Sequence, residues 1–457
     1  MGHTFDVKIW AVRQRAGVRQ KSAELRWRTG NVPPHSETFR TKTLADNRRA
    51  ELLVALQRGE AFDEATGLPL SELRRLRDVS WYQHARNYIE MKWDRSSAGT
   101  RRTLAEAMAT VTPVLVQDTK GMADPQAVRT ALYGWAFNKR RWEEETPADV
   151  AAVLRWFERK SLPTSALADR MVVRRALDGL TRKLNSETAA ASSIRRKRAI
   201  FHNALVFAVD ADLLTDNPLQ RVSWTLPEPV EEEVDPASVP SPDLAAQLLD
   251  AVGAQGPRGR RLVAFFGCML YAAARPSEVI PLGRQGCRSL PRRGWGLIAL
   301  QETRARSGSA WTDSGEAHDR RGLKKRSRKA VRLVPVPPEL VALLRWHIDA
   351  YGYAPDGRLF RTIRGGLVQE SGYGEVWARA RAKVLPPELL HTSLAKRPYD
   401  LRHTAVSVWL ASGVDPQTVA KRAGHSVAVL FRVYAKFIND SDEAANARIS
   451  ARLRQRG

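Results

Sequence analysis

The chain has 457 residues, enough for about three domains at roughly 150 residues each, and its 43% apolar content excludes global disorder. Seventy-four Lys and Arg against 49 Asp and Glu give a formal net charge of +25. That field attracts polyanions and repels cationic partners, which puts nucleic acid first and an anionic membrane surface second. Arginine outnumbers lysine by 58 to 16. Guanidinium grips phosphate oxygens bidentately, and a GC-rich genome produces the same bias, so both explanations stand.

The N-terminus, Met-Gly-His-Thr-Phe-Asp, has no apolar stretch behind a basic one and reads as no signal peptide. Residues 6–12, 23–28 and 36–40 are strand-like and are punctuated by Gly17, Gly30 and Pro33-Pro34; a helix follows over 44–58. This predicts a small three-stranded sheet with one helix, carrying Lys8, Trp10, Arg26, Trp27 and Arg28 on its strands. Trp10 and Trp27 read as core, the usual role, or as DNA contacts. The period then turns helical over 81–93, 100–116, 127–136, 147–157, 165–184 and 190–211, which predicts an all-helical domain of about 130 residues.

Residues 222–257 hold seven acids and no Lys or Arg, with Pro227, Pro229, Pro236, Pro240 and Pro242 among them. In so basic a chain this reads as an interdomain linker, and Ser241-Pro242 as the N-cap and first turn of a new domain. The predicted boundaries are 1–75, 80–225, a linker at 226–241, and 242–457.

Helices are expected over 243–252 and 259–274. The uncharged apolar run at 262–274 has 13 residues, too short to span a bilayer, and reads as a buried helix. Short strands follow at 296–302 and 330–336. Only Cys268 and Cys287 occur, which excludes a disulfide scaffold and fits a reduced intracellular setting. No CxxC or HExxH spacing appears, so neither a metal site nor a cofactor is expected. Residues 284–332 contain 14 basic and 4 acidic residues, which read either as a solvated loop face or as a basic hairpin lying against DNA.

Two clusters carry chemistry. Arg275-Pro276-Ser277-Glu278 follows the buried helix. Pro276 at a first helical position places Arg275 at a helix entrance that favours anions, and Glu278 three residues on can fix its guanidinium. Tyr399-Asp400-Leu401-Arg402-His403-Thr404 opens an apolar helix with Val406, Trp409 and Leu410. Gly413 ends that helix, Asp415-Pro416 starts the next, and Gly424 closes it before His425. Val427, Leu430 and Phe431 then form a packing stripe that carries Tyr434. From Arg402, His425 lies at +23, and Tyr434 lies 9 further on.

On these residues the chain resembles the tyrosine recombinase, or phage integrase, family. The resemblance is carried by Arg275 with Glu278, Leu401-Arg402-His403-Thr404, Gly424-His425-Ser426, and Tyr434 in Arg432-Val433-Tyr434-Ala435-Lys436. It covers about 215 residues by motif, from Ser241 onward, and extends more loosely upstream.

The resemblance implies a chain mainly α with small β elements. Its parts would be an arm-type DNA-binding domain built on the N-terminal three-stranded sheet plus helix, a helical core DNA-binding domain, and an α+β tyrosine recombinase catalytic domain. It implies catalysis by Arg275, Arg402, His425, Tyr434 and a hairpin lysine, here Lys324 with Lys325 and Lys329 as rivals, supported by Glu278, Tyr399 and His403. DNA contacts are expected at Arg26, Arg28, Lys325, Arg326, Arg328 and Lys329. The family box is usually His-x-x-Arg, and here Tyr399 holds its first position. A phenol, with an ordinary pKa of about 10, is a poor base at neutral pH, so a slower or differently balanced proton transfer is expected.

The implied activity is site-specific recombination through a 3′-phosphotyrosyl intermediate, integrating or excising a mobile element, with no cofactor. The partners would be double-stranded attachment sites, a homo-tetramer on DNA, and accessory bending or directionality factors, without a membrane. The setting would be the nucleoid in the cytoplasm of a bacterial host. The C-terminal Ile449, Leu453 and Arg-rich tail read as a helix that docks on a neighbouring protomer, or as a solvated terminus. Type IB topoisomerase-like strand relaxation and a catalytically silent DNA-binding regulator are the rival readings.

Overall fold

The computed structural model describes residues 2–16, 21–182, 187–225, 234–323, 330–434 and 442–454. Mainly α with small β elements, the chain divides into two compact units, Met1–Ser96 with Thr100–Glu228, and Ser97–Gly99 with Pro229–Gly457.

In the first unit the strand Lys21–Thr29 is central. It pairs antiparallel with His35–Phe39 on one edge and with both Val7–Ile9 and Arg13–Ala16 on the other. The sheet therefore has four strands where three were expected. The anticipated strand at 6–12 stops at Ile9, and pairing resumes at Arg13 because the nine-residue partner is long enough to hold both segments. Alternation along Lys21–Thr29 buries Ala23, Leu25 and Trp27 and exposes Arg26 and Arg28. Leu25 and Trp27 pack with Leu52 and Ala55 of the Lys42–Gln57 helix, and the Trp27 indole donates to the Gly67 carbonyl at 2.7 Å. Trp27 is thus core. Trp10 instead sits beside charge, with Lys8 and Arg26 each 5.9 Å from its ring.

The helix over 81–93 forms as read, capped by Ser80. Two others are interrupted. The run at 127–136 is Pro125–Ala131 followed by a π turn over Leu132–Ala136, and the run at 165–184 becomes the 3₁₀ segment Thr164–Ala168 and the helix Arg170–Leu180. Asp169 makes the second break, because its carboxylate accepts from the Met171 N–H as an N-cap inside an apparently continuous pattern.

In the second unit Ser241 caps Pro242–Gly253, with Pro242 in the first turn as expected. Of the stretch read as a linker at 226–241, the described part from Val234 packs into this unit. The Val234 N–H donates to the Val433 carbonyl, and the Pro240 carbonyl accepts from the Thr404 hydroxyl. The apolar run forms the buried helix Val263–Ala272, packed against Pro242–Gly253, Pro338–Tyr351 and Asp400–Ala411. Beside it lies the antiparallel sheet Cys287–Ser289, Gly296–Leu300, Arg332–Val336, in which Arg332 opposes Leu300.

A second hairpin, Glu302–Arg306 with His318–Gly322, lies within the basic stretch 284–332 that reads either as a solvated loop face or as a hairpin; its connection buries Trp311 and Thr312, so that part is no solvated loop. Among the described residues no helix is long and apolar enough to cross a membrane.

Candidate active site

The buried helix Val263–Ala272 ends at Ala273, whose φ of 47° lies in the left-handed region. This sharp turn delivers Arg275 to the entrance of the four-residue helix Pro276–Val279. There the Arg275 backbone N–H donates to Glu278 Oε2 and its Nη1 to Oε1, both at 2.8 Å. One residue thus holds both oxygens of a carboxylate that is 2% exposed. The turn also aims the Ala273 carbonyl at Arg402, whose Nη1 donates to it.

Arg402 and His403 lie in the first turn of Asp400–Ala411, and Arg402 is fully buried. Its Nη2 donates to the Ala423 carbonyl at 2.7 Å and meets His425 Nε2 at 2.6 Å. The turn that presents these groups exists because Gly424 ends the Pro416–Ala423 helix at φ 70°, a conformation that costs an L-residue about 1–2 kcal/mol. The same turn places the Gly424 carbonyl 3.3 Å from Arg275 Nη2. Arg275, on one element, and Arg402 with His425, on two others, therefore converge.

A third guanidinium, absent from the sequence reading, completes the cluster. Arg332, 2% exposed, donates from Nη2 to Glu278 and from Nη1 to the Ala423 carbonyl. Three buried or half-buried cations therefore face one carboxylate. Burial alone would raise the Glu278 pKa; the charges of Arg332, Arg275 and Arg402 outweigh it and hold the carboxyl below the usual range. Burial, with the neighbouring arginines adding to it and Glu278 opposing, pulls Arg332 down to about 10. Burial and then Arg275 lower Arg402.

Burial and these cations together keep the histidines neutral. Burial, then Arg402, lowers His425 to about 3 and His403 to about 4. A guanidinium can only donate, so Nε2 of His425 accepts from Arg402 and its proton sits on Nδ1. Among the described residues that Nδ1 has no hydrogen-bond partner, which leaves a buried donor without an acceptor.

Tyr434 ends the helix Val427–Tyr434. Leu430 buries as the packing stripe requires and Val427 does so partly, but Phe431 is 46% exposed and does not belong to the core. The Tyr434 ring is buried, 5.9 Å from the His425 ring, and its hydroxyl lies 2.7 Å from His403 Nδ1. Burial raises its pKa, with Arg402 opposing, so the phenol is neutral and needs a base to become a nucleophile. Tyr399 lines the same site: its ring centroid is 5.2 Å from that of His403, and its hydroxyl meets the Arg275 guanidinium. The group in contact with the candidate nucleophile is His403, one residue past Arg402, rather than the residue at the box's first position.

The site thus brings together Arg275, Glu278, Tyr399, Arg402, His403, His425 and Tyr434 from four segments of chain. Lys324, Lys325, Arg326, Arg328 and Lys329 lie outside the described residues. Arg26 and Arg28 belong to the other unit, where both are exposed.

No family model and no curated protein matches this chain. Among solved structures it is similar to the Tn1549 transposon integrase in complex with a circular intermediate DNA, at 17% identity and a TM-score of 0.47, covering 72% of this chain and 100% of that one. It is similar also to a lambda integrase dimer bound to a core site, at 10% identity and a TM-score of 0.48 over 93% of this chain and 94% of that one. With the XerH site-specific recombinase bound to its difH substrate it shares 12% identity and a TM-score of 0.44, over 79% of this chain and 94% of that one.

Proposed function

We propose that this protein is a site-specific DNA recombinase of the integrase type. A phosphodiester resists attack because its charge repels nucleophiles and its transition state gathers charge on the equatorial oxygens. Arg275 and Arg402 meet that charge from two sides, and the free Nδ1–H of His425 adds a hydrogen bond. His403 takes the phenolic proton as Tyr434 attacks phosphorus, forming a 3′-phosphotyrosyl ester. Lys324, or a neighbouring lysine of the same segment, protonates the departing 5′-oxygen. The ester keeps the energy of the broken bond, and a 5′-hydroxyl from a partner duplex reverses the reaction onto a new strand. The observation that carries this reading is the convergence of Arg275, held by Glu278, with Arg402 and the His425 bonded to it, and with the Tyr434 hydroxyl on His403 beside them.

The finer reading assigns residues 1–75 to an arm-type DNA-binding domain using Arg26 and Arg28, 80–225 to core DNA binding, and 242–457 to catalysis, joined through the acidic stretch at 226–241. Lys325, Arg326, Arg328 and Lys329 would contact DNA beside the scissile phosphate. The assembly would be a tetramer on two attachment sites of a mobile element, on the nucleoid in a bacterial cytoplasm, aided by bending or directionality factors.

The test uses short nicked duplexes tiling the DNA that flanks the coding sequence, mixed with full-length protein in EDTA. The wild type should form a denaturant-resistant protein–DNA adduct and Tyr434→Phe none, while both bind. An adduct with the Phe variant refutes the nucleophile; binding without any adduct from the wild type favours a silent DNA-binding regulator.

A further inference from the structure

We infer that Arg332 is a positioning residue of this site: its guanidinium ties the Arg275–Glu278 half of the phosphate clamp to the Arg402–His425 half. The inference rests on the recombinase reading above.

Arg332 opens the strand Arg332–Val336, in the sheet and outside the helices that carry the other site residues. Its side chain reaches both halves and shares an acceptor with each. Glu278 Oε2 accepts from Arg332 Nη2 and from the Arg275 backbone N–H; the Ala423 carbonyl accepts from Arg332 Nη1 and from Arg402 Nη2. The guanidinium also packs against the turn before His425, where a Cβ on Gly424 would lie 2.2 Å from Arg332 Nη1. A side chain at position 424 would therefore strain the backbone at its φ of 70° and push the Arg332 guanidinium aside.

A plain stabilising role does not explain the arrangement. Buried ion pairs are commonly matched or bettered in stability by apolar residues of similar volume. Here a third cation is kept beside two others, where each weakens the next, in a pocket whose proposed substrate is an anion. The cost is offset if Arg332 holds the spacing that lets two guanidiniums and an imidazole N–H meet one phosphate. Misplacement on the order of 1 Å can reduce such a reaction about 100-fold.

The groups facing Glu278 are Arg275 from its own element, Arg332 from the sheet and Arg402 from the Asp400–Ala411 helix. Removing Arg332 takes away the largest of these charges, so the carboxyl takes a proton at higher pH and releases Arg275.

The experiment compares full-length wild type, Arg332→Lys, Arg332→Met, and Arg332→Met combined with Glu278→Gln. Each is placed on one nicked duplex that the wild type cleaves, with single-turnover cleavage followed from about pH 5 to 9 and DNA affinity measured alongside. Arg332→Met should keep affinity within about threefold of wild type, cleave about 100-fold more slowly, and lose most at acid pH. Arg332→Lys keeps the charge but cannot fork to both acceptors, and should recover about tenfold of that loss. The double variant should lose the acid-side dependence.

Cleavage by Arg332→Met at the wild-type rate, an equal loss at every pH, or affinity that falls in step with cleavage would overturn the proposal. If the Met variant does not fold, a wild-type rate and pH profile in Arg332→Lys does so alone. If the wild type forms no Tyr434-dependent adduct on any duplex, the recombinase reading fails first and takes this inference with it.

Discussion

Glu278→Gln tests the electrostatics of the site without DNA. The substitution preserves shape and removes the carboxylate that faces Arg275, Arg332 and Arg402. Breaking a buried charge pair by removing one partner costs about 3–5 kcal/mol, because the remaining charge stays desolvated. For a unit of this size each kcal/mol moves the midpoint by roughly 2–4 °C, so the second unit should melt roughly 6–20 °C lower at neutral pH. Calorimetry of the free protein reads this directly.

The pH dependence has a fixed sign. The folded carboxyl is held below its ordinary value, so its contribution is complete above the unfolded pKa of about 4.3 and is lost as pH falls through the folded value. The gap between wild type and variant must therefore narrow on acidification. Equal melting at pH 7, or a gap that widens towards low pH, would show that Glu278 is not the counterion of this cluster.

Other outcomes follow from single contacts. His403→Ala should slow cleavage by about 10²–10⁴ while leaving affinity unchanged, since it removes the base on the Tyr434 hydroxyl. With His403 at about 4, the wild-type rate should lose this base only as pH falls through that value, which single-turnover rates at acid pH will read. Gly424→Ala should destabilise by about 1–2 kcal/mol from its left-handed backbone and slow cleavage by up to about 100-fold by displacing the Arg332 guanidinium, as melting and single-turnover cleavage will show.

Much of the site was legible in the sequence because its chemistry lies at helix ends, and helix ends announce themselves. Ser241-Pro242, Asp415-Pro416 and Gly424 are punctuation whose mechanism is local, and the structure puts caps and turns at each of them. Arg275 and Glu278 were legible as a pair for the same reason, since three-residue spacing at a proline-started helix permits little else.

Arg332 was not legible. It sits in a short strand after a run of basic residues, and its burial is decided by Glu278 and Ala423, 54 and 91 residues away. Nothing in the local pattern separates it from Arg326 or Arg328. The only available signal was its place at the start of an apolar strand, where an inward-facing arginine needs a partner. His403 was legible as a supporting residue but not as the contact of Tyr434, because that contact joins side chains 31 residues apart and depends on how two helices pack. The fourth strand of the N-terminal sheet, Arg13–Ala16, escapes the sequence for a related reason. Period-two alternation marks which residues are extended, and it does not say that one strand can hold two partners along one edge.

The two clamp arginines should fail at different steps. Arg402 is closed to solvent, and its guanidinium already ends on Ala273, Ala423 and His425, so it adds little to the field an approaching duplex meets. Arg275, with its side chain 21% exposed, faces outward enough to meet a phosphate as the protein stands. In a Tyr434→Phe background, Arg275→Ala should lower DNA affinity several-fold and reduce the slope of log affinity against log salt by about one. Arg402→Ala should leave the slope unchanged and, with Tyr434 restored, stop adduct formation, because the charge it supplies matters only once the equatorial oxygens load in the transition state. Equal slopes for the two variants, both below the parent, would mean that both arginines act as ordinary backbone contacts and that the clamp has no division of labour.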